Sequence, residues 1–213
     1  LAGRFALARV GALPDGRPAL LTHAGVTARE LALLGVAAEP VAIAAALNAL
    51  LARAVDAVRA DWEAGGDAPL SLAPLHLAGV PGEEGGGLLY HRPTNPERPG
   101  AELGWTRPGA RPRRFDPRAL PAGLTQICGH TGHAKCVHEL GAWATPAARA
   151  RAHGGIRTLR WADGVVTYEL GVAAPAAGAA DLILIDGEAR RVAPDDVGLL
   201  ALAALDAPRD ERW

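Results

Sequence analysis

The chain has 213 residues, of which 49% are hydrophobic, and a formal net charge of −1 at pH 7. This length and composition predict a globular chain with a substantial hydrophobic core. The near-neutral charge excludes a uniformly basic surface of the kind that attracts nucleic acid or anionic membranes. Because only two cysteines occur and they lie close together, no disulfide framework is indicated, and we expect a cytoplasmic protein.

The first sixty residues predict one strand followed by two helices. Pro18–Thr22 is a short apolar run that ends at a histidine, His23. Thr27 and Glu30 have the spacing of a capping box, which predicts a helix over Thr27–Leu34. Apolar residues at helical spacing predict a longer helix over Pro40–Trp62, and its interrupting polar residues favour a soluble amphipathic helix over a membrane span.

The rest of the chain predicts further strands separated by turns and loops. Residues 65–121 are rich in glycine and proline and read as a long loop region with one short strand. An Asp-Gly turn predicts a β-hairpin, and a buried strand, a final helix and a tail close the chain. These segments are Leu88–His91 and Leu124–Cys128 as strands, Arg157–Leu170 as the hairpin, Asp181–Ile185 as a strand, Pro194–Leu205 as the helix and residues 206–213 as the tail.

Three side chains suited to metal and phosphate chemistry follow predicted strands. His23 follows Pro18–Thr22, Arg92 follows Leu88–His91, and His130 follows Leu124–Cys128. Open α/β sheets bind ligands at the carboxyl ends of their strands, so these side chains are expected to meet there. Imidazoles bind transition metals, and a guanidinium matches two phosphoryl oxygens at once.

The motifs around these residues resemble those of the calcineurin-like metallophosphoesterases, in the order found in the serine/threonine phosphatase branch. That branch has the motifs His-Gly/Ala-Gly, Leu-Trp-x-Arg, Gly-His-Thr and Ile-Asp-Thr-Gly. Tyr90 stands here in place of the family's Trp, and Gly187 follows Asp186 without the intervening Thr. The matching stretches are Thr22-His-Ala-Gly25, Leu88-Leu-Tyr-His-Arg-Pro93, Cys128-Gly-His-Thr131 and Ile185-Asp-Gly187.

The resemblance implies a phosphoesterase that uses two divalent transition metal ions, Mn, Fe or Zn, on a phosphorylated substrate. His23 and His130 would bind one ion, and Arg92 would bind the phosphoryl group and stabilise its charge during the reaction. His133 and Asp186 are candidates for supporting positions around the ligands. Protein phosphoserine, dinucleoside polyphosphates and small phosphate esters all suit such a centre. If both histidines bind one ion, their ring nitrogens should lie within about 4–5 Å of each other.

The resemblance covers only the downstream half of the family's catalytic centre. The upstream motifs Asp-x-His, Gly-Asp-x-x-Asp and Gly-Asn-His-Asp/Glu do not occur in this chain. Together with the initial Leu and the absence of Met, this leads us to interpret residues 1–205 as the C-terminal portion of one metallophosphoesterase-like domain. The expected fold is α/β: a mixed sheet packed on a second sheet as a β-sandwich and flanked by helices, with its N-terminal portion missing. Alone, such a chain should be a poor catalyst.

Two alternatives from other functional classes stay open. Cys128, His130, His133 and Cys136 together could form a structural zinc module, because thiolates and imidazoles bind zinc. The chain could also be a non-catalytic remnant that uses the scaffold for binding only. The arginine-rich run 107–118 has Phe115 as its one interleaved aromatic residue, which makes nucleic acid an unfavourable partner, and we expect no membrane partner.

Overall fold

A computed structural model describes residues 5–79, 85–99, 101, 113–151 and 153–206 of the chain. Within this part, four α-helices and eleven strands are present, several of the strands only two residues long. The helices are α1 (Ala28–Leu34), α2 (Pro40–Glu63), α3 (His133–Leu140) and α4 (Pro146–Ala150). The strands are β1 (Ala8–Ala12), β2 (Pro18–Thr22), β3 (His76–Leu77), β4 (Gly86–Gly87), β5 (Arg92–Pro93), β6 (Arg114–Phe115), β7 (Thr125–Cys128), β8 (Arg157–Ala162), β9 (Val165–Leu170), β10 (Ala180–Leu184) and β11 (Ala204–Leu205).

Seven of these strands form one mixed sheet in the order β11-β1-β2-β7-β10-β8-β9. The central strands β2, β7 and β10 run parallel, and the flanking pairs are antiparallel. The parallel strands lie in register, with Thr22 and Leu184 on either side of Cys128. The segments that follow these strands therefore leave the sheet at the same edge, which is the edge that carries the predicted site.

The two faces of the sheet are covered differently. One face packs beneath α1 and α2 through a cluster that includes Leu20, Ile43 and Leu47, and continues beneath α3 through Cys136 and Leu140. The opposite face is covered in part by the C-terminal segment. Its apolar cluster joins strand residues to that segment through Leu13, Ala19, Ile127 and Ile183, with Leu200 and Leu202 packed against them.

Local sequence signals account for the elements that were predicted. Thr27 caps α1, and Glu30 completes the capping box by accepting from the Thr27 backbone N–H. Asp163 and Gly164 both have positive φ in the turn between β8 and β9, as an Asp-Gly hairpin requires. Pro40 occupies the first turn of α2, where its missing N–H costs nothing. The predictions for β2, α1, α2, β7, the hairpin and β10 are confirmed.

The strand predicted over Leu88–His91 is wrong. The segment is a turn between β4 and β5, closed by bonds from the Tyr90 and His91 amides to the Gly87 carbonyl at 2.7 and 2.9 Å. Gly87 makes this turn possible because its φ of 89° lies in the left-handed region. Arg92 consequently lies inside the short strand β5 instead of following a strand.

The final helix predicted over Pro194–Leu205 is also wrong. Only Pro194–Asp196 is helical, as a single 3₁₀ turn, and the chain then runs extended to β11. The Gly198 amide donates to the Gly154 carbonyl at 2.5 Å, which holds the segment against a neighbouring loop. Leu200 and Leu202 then pack against the sheet at the two-residue spacing of an extended chain.

The chain is mixed α/β, as expected, with one seven-stranded mixed sheet. Among the described residues, the only other ladders are the two-residue pairs β3–β4 and β5–β6, so the expected second packed sheet is not present in this part. Residue 206 lies beside β1, where its carboxylate accepts from the Val10 amide at 3.1 Å. The remainder of the predicted tail, 207–213, and the first half of the arginine run, 107–112, lie outside the described residues.

Helix α2 is the one helix in the described part that is long and apolar enough to cross a membrane. A core helix of a soluble protein meets the same criterion, so this finding alone is weak evidence. In the structure the helix packs on the sheet through Ile43 and Leu47. Its Asn48 side chain bonds the backbone of β1, accepting from the Leu7 and Ala8 amides at 2.9 and 3.2 Å.

Candidate metal and phosphate site

His23 and His130 meet at the carboxyl edge of the parallel strands. His23 follows β2 by one residue, and His130 follows the neighbouring strand β7 by two. The Nε2 atom of His23 lies 2.9 Å from the Nδ1 atom of His130, and the ring centroids are 4.6 Å apart. The expected approach of the two rings is confirmed. Their role as metal ligands stays a prediction.

Hydrogen bonding fixes which nitrogen of His130 is free to bind an ion. Its Nε2 atom lies 2.9 Å from the Tyr90 carbonyl oxygen, which can only accept, so Nε2 carries the proton in the neutral ring. Nδ1 then presents its lone pair to His23. A ligand histidine whose second nitrogen donates to a backbone carbonyl is the usual arrangement in metal sites.

The separation of the two nitrogens suits a single ion. Two nitrogens bound at about 2.0–2.1 Å lie about 2.9 Å apart for a right angle at the metal and about 3.3 Å for a tetrahedral one. The observed 2.9 Å requires only a small adjustment in either case. In this pair, His23 Nε2–H donates to His130 Nδ1. To bind an ion through Nε2, His23 would have to carry its proton on Nδ1.

The surroundings keep His130 neutral. Burial lowers its pKa from 6.5 to about 4, and the charge of Arg92 acts in the same direction. The backbone at His130 is left-handed, with φ of 61°, which aims the ring out of the strand direction. The following turn is closed by the Thr131 amide, which donates to the Gly129 carbonyl at 2.7 Å. A neutral imidazole is the form that binds metal.

Arg92 lies on the same rim of the site. Its guanidinium carbon is 5.2 Å from the centre of the Tyr90 ring, which is itself 5.7 Å from the His130 ring. The Arg92 Nε atom is buried and has no hydrogen-bond partner in the described part of the chain. A guanidinium with an unused donor beside the His130 imidazole suits an anion bound next to a metal.

The loop that carries His23 is held by buried polar bonds. The Gln126 side chain, on β7, accepts from the Val26 amide at 2.7 Å and donates to the Val26 carbonyl at 2.9 Å. The Thr22 hydroxyl accepts from the Gly25 amide at 3.0 Å. Gly25 has φ of 85°, and a Cβ atom there would lie 3.1 Å from the Leu182 side chain. The loop is therefore fixed to the strand that presents His130.

A cavity of about 340 Å³ opens beside His23. Apolar side chains from the amino-terminal segment, β2 and the turn before Tyr90 line it, together with the basic side chain of Arg9. The lining includes Phe5, Leu7, Leu21 and Leu89. The candidate ligand His23 therefore borders a largely apolar cleft.

His133 and Asp186 do not contact the two ligand histidines through any hydrogen bond in the described structure. His133 begins α3, is buried, and its Nδ1 atom lies 3.3 Å from the Tyr168 hydroxyl. The Asp186 carboxylate accepts from the Glu188 amide at 3.3 Å. Asp186 also presents its carbonyl to Arg157 at 2.5 Å. Arg157 is fully buried and also approaches the Thr131 carbonyl, so it joins the two loops behind the site.

The four residues of the zinc-module alternative do not converge. Among the described residues, no group of three or more His, Cys, Asp or Glu side chains could hold a metal ion. Both cysteines are free and buried, and burial raises the pKa of Cys136 to about 11 and that of Cys128 further still. Zinc binds thiolates, so this environment disfavours the required form. The His130 ring is directed to His23 and Tyr90 instead.

Several residues that shape the site were not identified from the sequence. Gln126 gave one usable signal, because an amide inside an otherwise apolar strand needs buried partners. The role of the Tyr90 carbonyl had no sequence signal, because a backbone acceptor is the same in every residue. Arg157 was placed correctly on the hairpin, but nothing in the pattern indicated that its side chain would be buried.

Comparison with protein families, with curated proteins and with solved structures finds no match to this chain. Any functional conclusion therefore rests on the geometry of the site and on the motifs of the sequence.

Proposed function

We propose that this chain supplies the histidine and phosphate-binding part of a metal-dependent phosphoesterase site. The observation that carries the proposal is the pair of imidazole nitrogens 2.9 Å apart, with the second nitrogen of His130 held by the Tyr90 carbonyl. The proposal includes the calcineurin-like metallophosphoesterase family, a cytoplasmic location and a phosphorylated substrate, with neither membrane nor nucleic acid as partner. It also includes a metallophosphoesterase-like β-sandwich whose second sheet would come from outside the described residues.

The residues present fit a divalent transition metal ion. Mn, Fe and Zn all accept imidazole ligands, and one nitrogen from each of two imidazole rings lies at the same position. When bound, two such ions would polarise the phosphoryl group and activate water. His23 and His130 would supply two ligands of one ion, and the carboxylates of a dinuclear centre would have to come from outside the described residues.

Arg92 would act on the phosphoryl group directly. Its guanidinium is fixed over the Tyr90 ring, next to His130, so its donors need little reorganisation to meet an anion. A planar fork can bind two phosphoryl oxygens and stabilise the charge that is redistributed as the transition state forms. The cavity beside His23 would accommodate the leaving group of the substrate.

A role in binding alone is the second candidate. It is favoured by the lack of any three-ligand group among the described residues, because a phosphoesterase centre needs more ligands than two imidazoles. Hydrolysis of an aryl phosphate by a protein that also supplies carboxylate ligands would separate the two candidates.

Metal titration tests the metal site that both candidate functions require. The 213-residue chain should bind about one Co²⁺ ion, with visible absorption bands typical of imidazole ligation. His23→Ala and His130→Ala should each abolish that binding. His138→Ala is the matched control, because His138 lies on α3 and takes no part in the pair. Binding that survives both site variants would overturn the proposed metal site.

A further inference from the structure

One short segment, Tyr90–His91, contacts both loops that carry the candidate ligands. The Tyr90 carbonyl accepts from His130 Nε2 at 2.9 Å. The next residue, His91, places its Nε2 atom 3.0 Å from the Gly25 carbonyl, two residues beyond His23. Two consecutive residues thus hold the two histidine loops, one through the backbone and the other through its side chain.

His91 is built into the interior of the protein. It is 1% exposed, and its ring packs on Phe115 with the centroids 4.8 Å apart. Its Nδ1 atom is buried without a partner in the described structure. Because the Gly25 carbonyl can only accept, the ring proton must be on Nε2.

Packing alone does not account for a histidine at this position. A phenylalanine ring would cover Phe115 equally well and would leave no nitrogen unsatisfied, whereas burying an unpaired polar atom costs about 1–3 kcal/mol. What the imidazole adds is the bond to the Gly25 carbonyl. Gln126 anchors the later part of this loop to β7, whereas among the described residues the hydrogen bond from the loop to the segment that orients His130 is made by His91.

We propose that His91 is a positioning residue that sets the distance between the metal-binding nitrogens of His23 and His130. This inference rests on the proposed metal site. The bond to the Gly25 carbonyl keeps the His23 loop in register with the Tyr90 carbonyl, so both imidazoles present their lone pairs to one point. Residues that orient ligands in this way typically contribute about 10- to 100-fold to metal affinity.

Co²⁺ titration of the full chain and its variants tests the proposal. His91→Phe keeps the ring against Phe115 but removes the donor, and should weaken Co²⁺ binding about 10- to 100-fold. His91→Gln returns an N–H group near the position of Nε2 and should restore most of the affinity. His76→Phe is the matched control, because His76 also has a buried Nδ1 atom without a partner, and it should change the affinity by less than about threefold.

The outcomes separate this inference from the proposed site itself. If Co²⁺ binding does not require His23 and His130, the metal site is wrong. If it does require them but His91→Phe binds Co²⁺ like the unchanged chain, the positioning role is wrong and the site stands. A loss shared equally by His91→Phe and His91→Gln, with both folded, also contradicts it.

A spectroscopic measurement covers the case in which His91→Phe does not fold. Long-range ¹⁵N NMR of the unchanged chain reports which ring nitrogen of each histidine carries the proton. The proposal requires the Nε2–H form for both His91 and His130 in the metal-free chain. It also requires that Co²⁺ or Zn²⁺ leave the His91 form unchanged while shifting His130 Nδ1. A His91 ring protonated on Nδ1 would overturn it.

Discussion

A separation of 2.9 Å between one nitrogen of His23 and one of His130 determines what this edge of the sheet can bind. This separation depends on how both residues are held. His130 takes a left-handed backbone conformation, φ 61°, that costs free energy for a residue with a Cβ atom, and its Nε2 is committed to a carbonyl. A strained residue with one nitrogen fixed and the other facing a second imidazole is typical of a binding site.

Arg92 should contribute to anion binding and not to stability. Its guanidinium lies over the Tyr90 ring, which packs beside His130, so Arg92→Ala should weaken binding of inorganic phosphate to the Zn²⁺-loaded chain about 10- to 100-fold, as expected for one lost charged hydrogen bond. Arg92→Lys should recover only part, because an ammonium cannot span two oxygens. Phosphate titration followed by ³¹P NMR gives the affinities.

The control for Arg92 is Arg59→Ala, an exposed arginine on α2 paired with Asp56. It should leave phosphate binding unchanged. If Arg92→Ala lowers the melting temperature while phosphate binding stays normal, the side chain only packs its stem on the Tyr90 ring, and it does not belong to the site.

The buried histidines make the free energy of unfolding depend on pH. Burial lowers the pKa of both His91 and His133 below 6.5. In the unfolded chain they titrate near pH 6.5, so below that pH the unfolded state binds more protons. Stability should therefore be constant above about pH 7 and decrease as the pH falls from about 6.5 towards the folded pKa values. Urea unfolding between about pH 8 and about pH 5 measures this.

In His133→Phe, the loss of stability on acidification should be smaller, because one of the groups that takes up a proton on unfolding is gone. His138→Asn is the comparison, since His138 lies on the same helix but is not among the buried residues. Stability that rises on acidification would contradict the sign of the effect.

At the scale of elements, the site depends on how the loop after β2 is joined to β7. Gln126 is fully buried and satisfies both backbone groups of Val26. Gln126→Leu keeps the volume but leaves a buried N–H and a buried C=O without partners, which should cost about 2–4 kcal/mol of unfolding free energy. It should also weaken Co²⁺ binding, because the His23 loop loses its anchor on the strand of His130. Denaturant unfolding and metal titration of the same samples measure both effects.

Gln126→Glu is the graded variant for this test. As a carboxylate it would bury a charge and lose the donor to the Val26 carbonyl, and as a protonated acid it keeps both an acceptor and a donor. Its stability should therefore be low at about pH 8 and approach that of the unchanged chain as the pH falls to about 5. If Gln126→Leu is as stable as the unchanged chain and binds Co²⁺ equally well, the loop is positioned by other contacts.

The elements that could be predicted from the sequence have strong local signals. The apolar runs of β2, β7 and β10, the capping box at Thr27 and the Asp-Gly turn at Asp163 each specify an element within a few residues. The meeting of His23 and His130 followed from the same signals, because parallel strand ends share an edge. For these parts, local sequence and the rules of open sheets suffice.

The elements that could not be predicted depend on distant partners. Leu200 and Leu202 are extended because they cover a sheet face, and no local signal in that segment shows it. Helix α3 was missed because its histidines and cysteine suggested ligands, whereas Cys136 and Leu140 lie on its buried face. The Gln126 and Arg157 side chains support the site through hydrogen bonds to backbone groups that are distant in the sequence. A single sequence does not reveal such contacts.

For the whole molecule, the described residues provide imidazoles and a guanidinium but no third metal ligand. The isolated chain should therefore bind at most one ion and hydrolyse an aryl phosphate at a rate close to that of a metal-only control. Steady-state assays with Mn²⁺ and Zn²⁺ measure this, and the His23→Ala chain provides the baseline. Robust metal-dependent turnover would show that the catalytic groups lie elsewhere.

X-ray absorption of the chain loaded with one equivalent of Zn²⁺ tests the central claim most directly. We expect a first shell of nitrogen and oxygen only, at about 2.0–2.1 Å, with the multiple-scattering pattern of two imidazoles. His23→Ala and His130→Ala should each lose the bound ion and, with it, this pattern. Sulfur at about 2.3 Å would instead place the ion at Cys128 and Cys136, and would contradict the account.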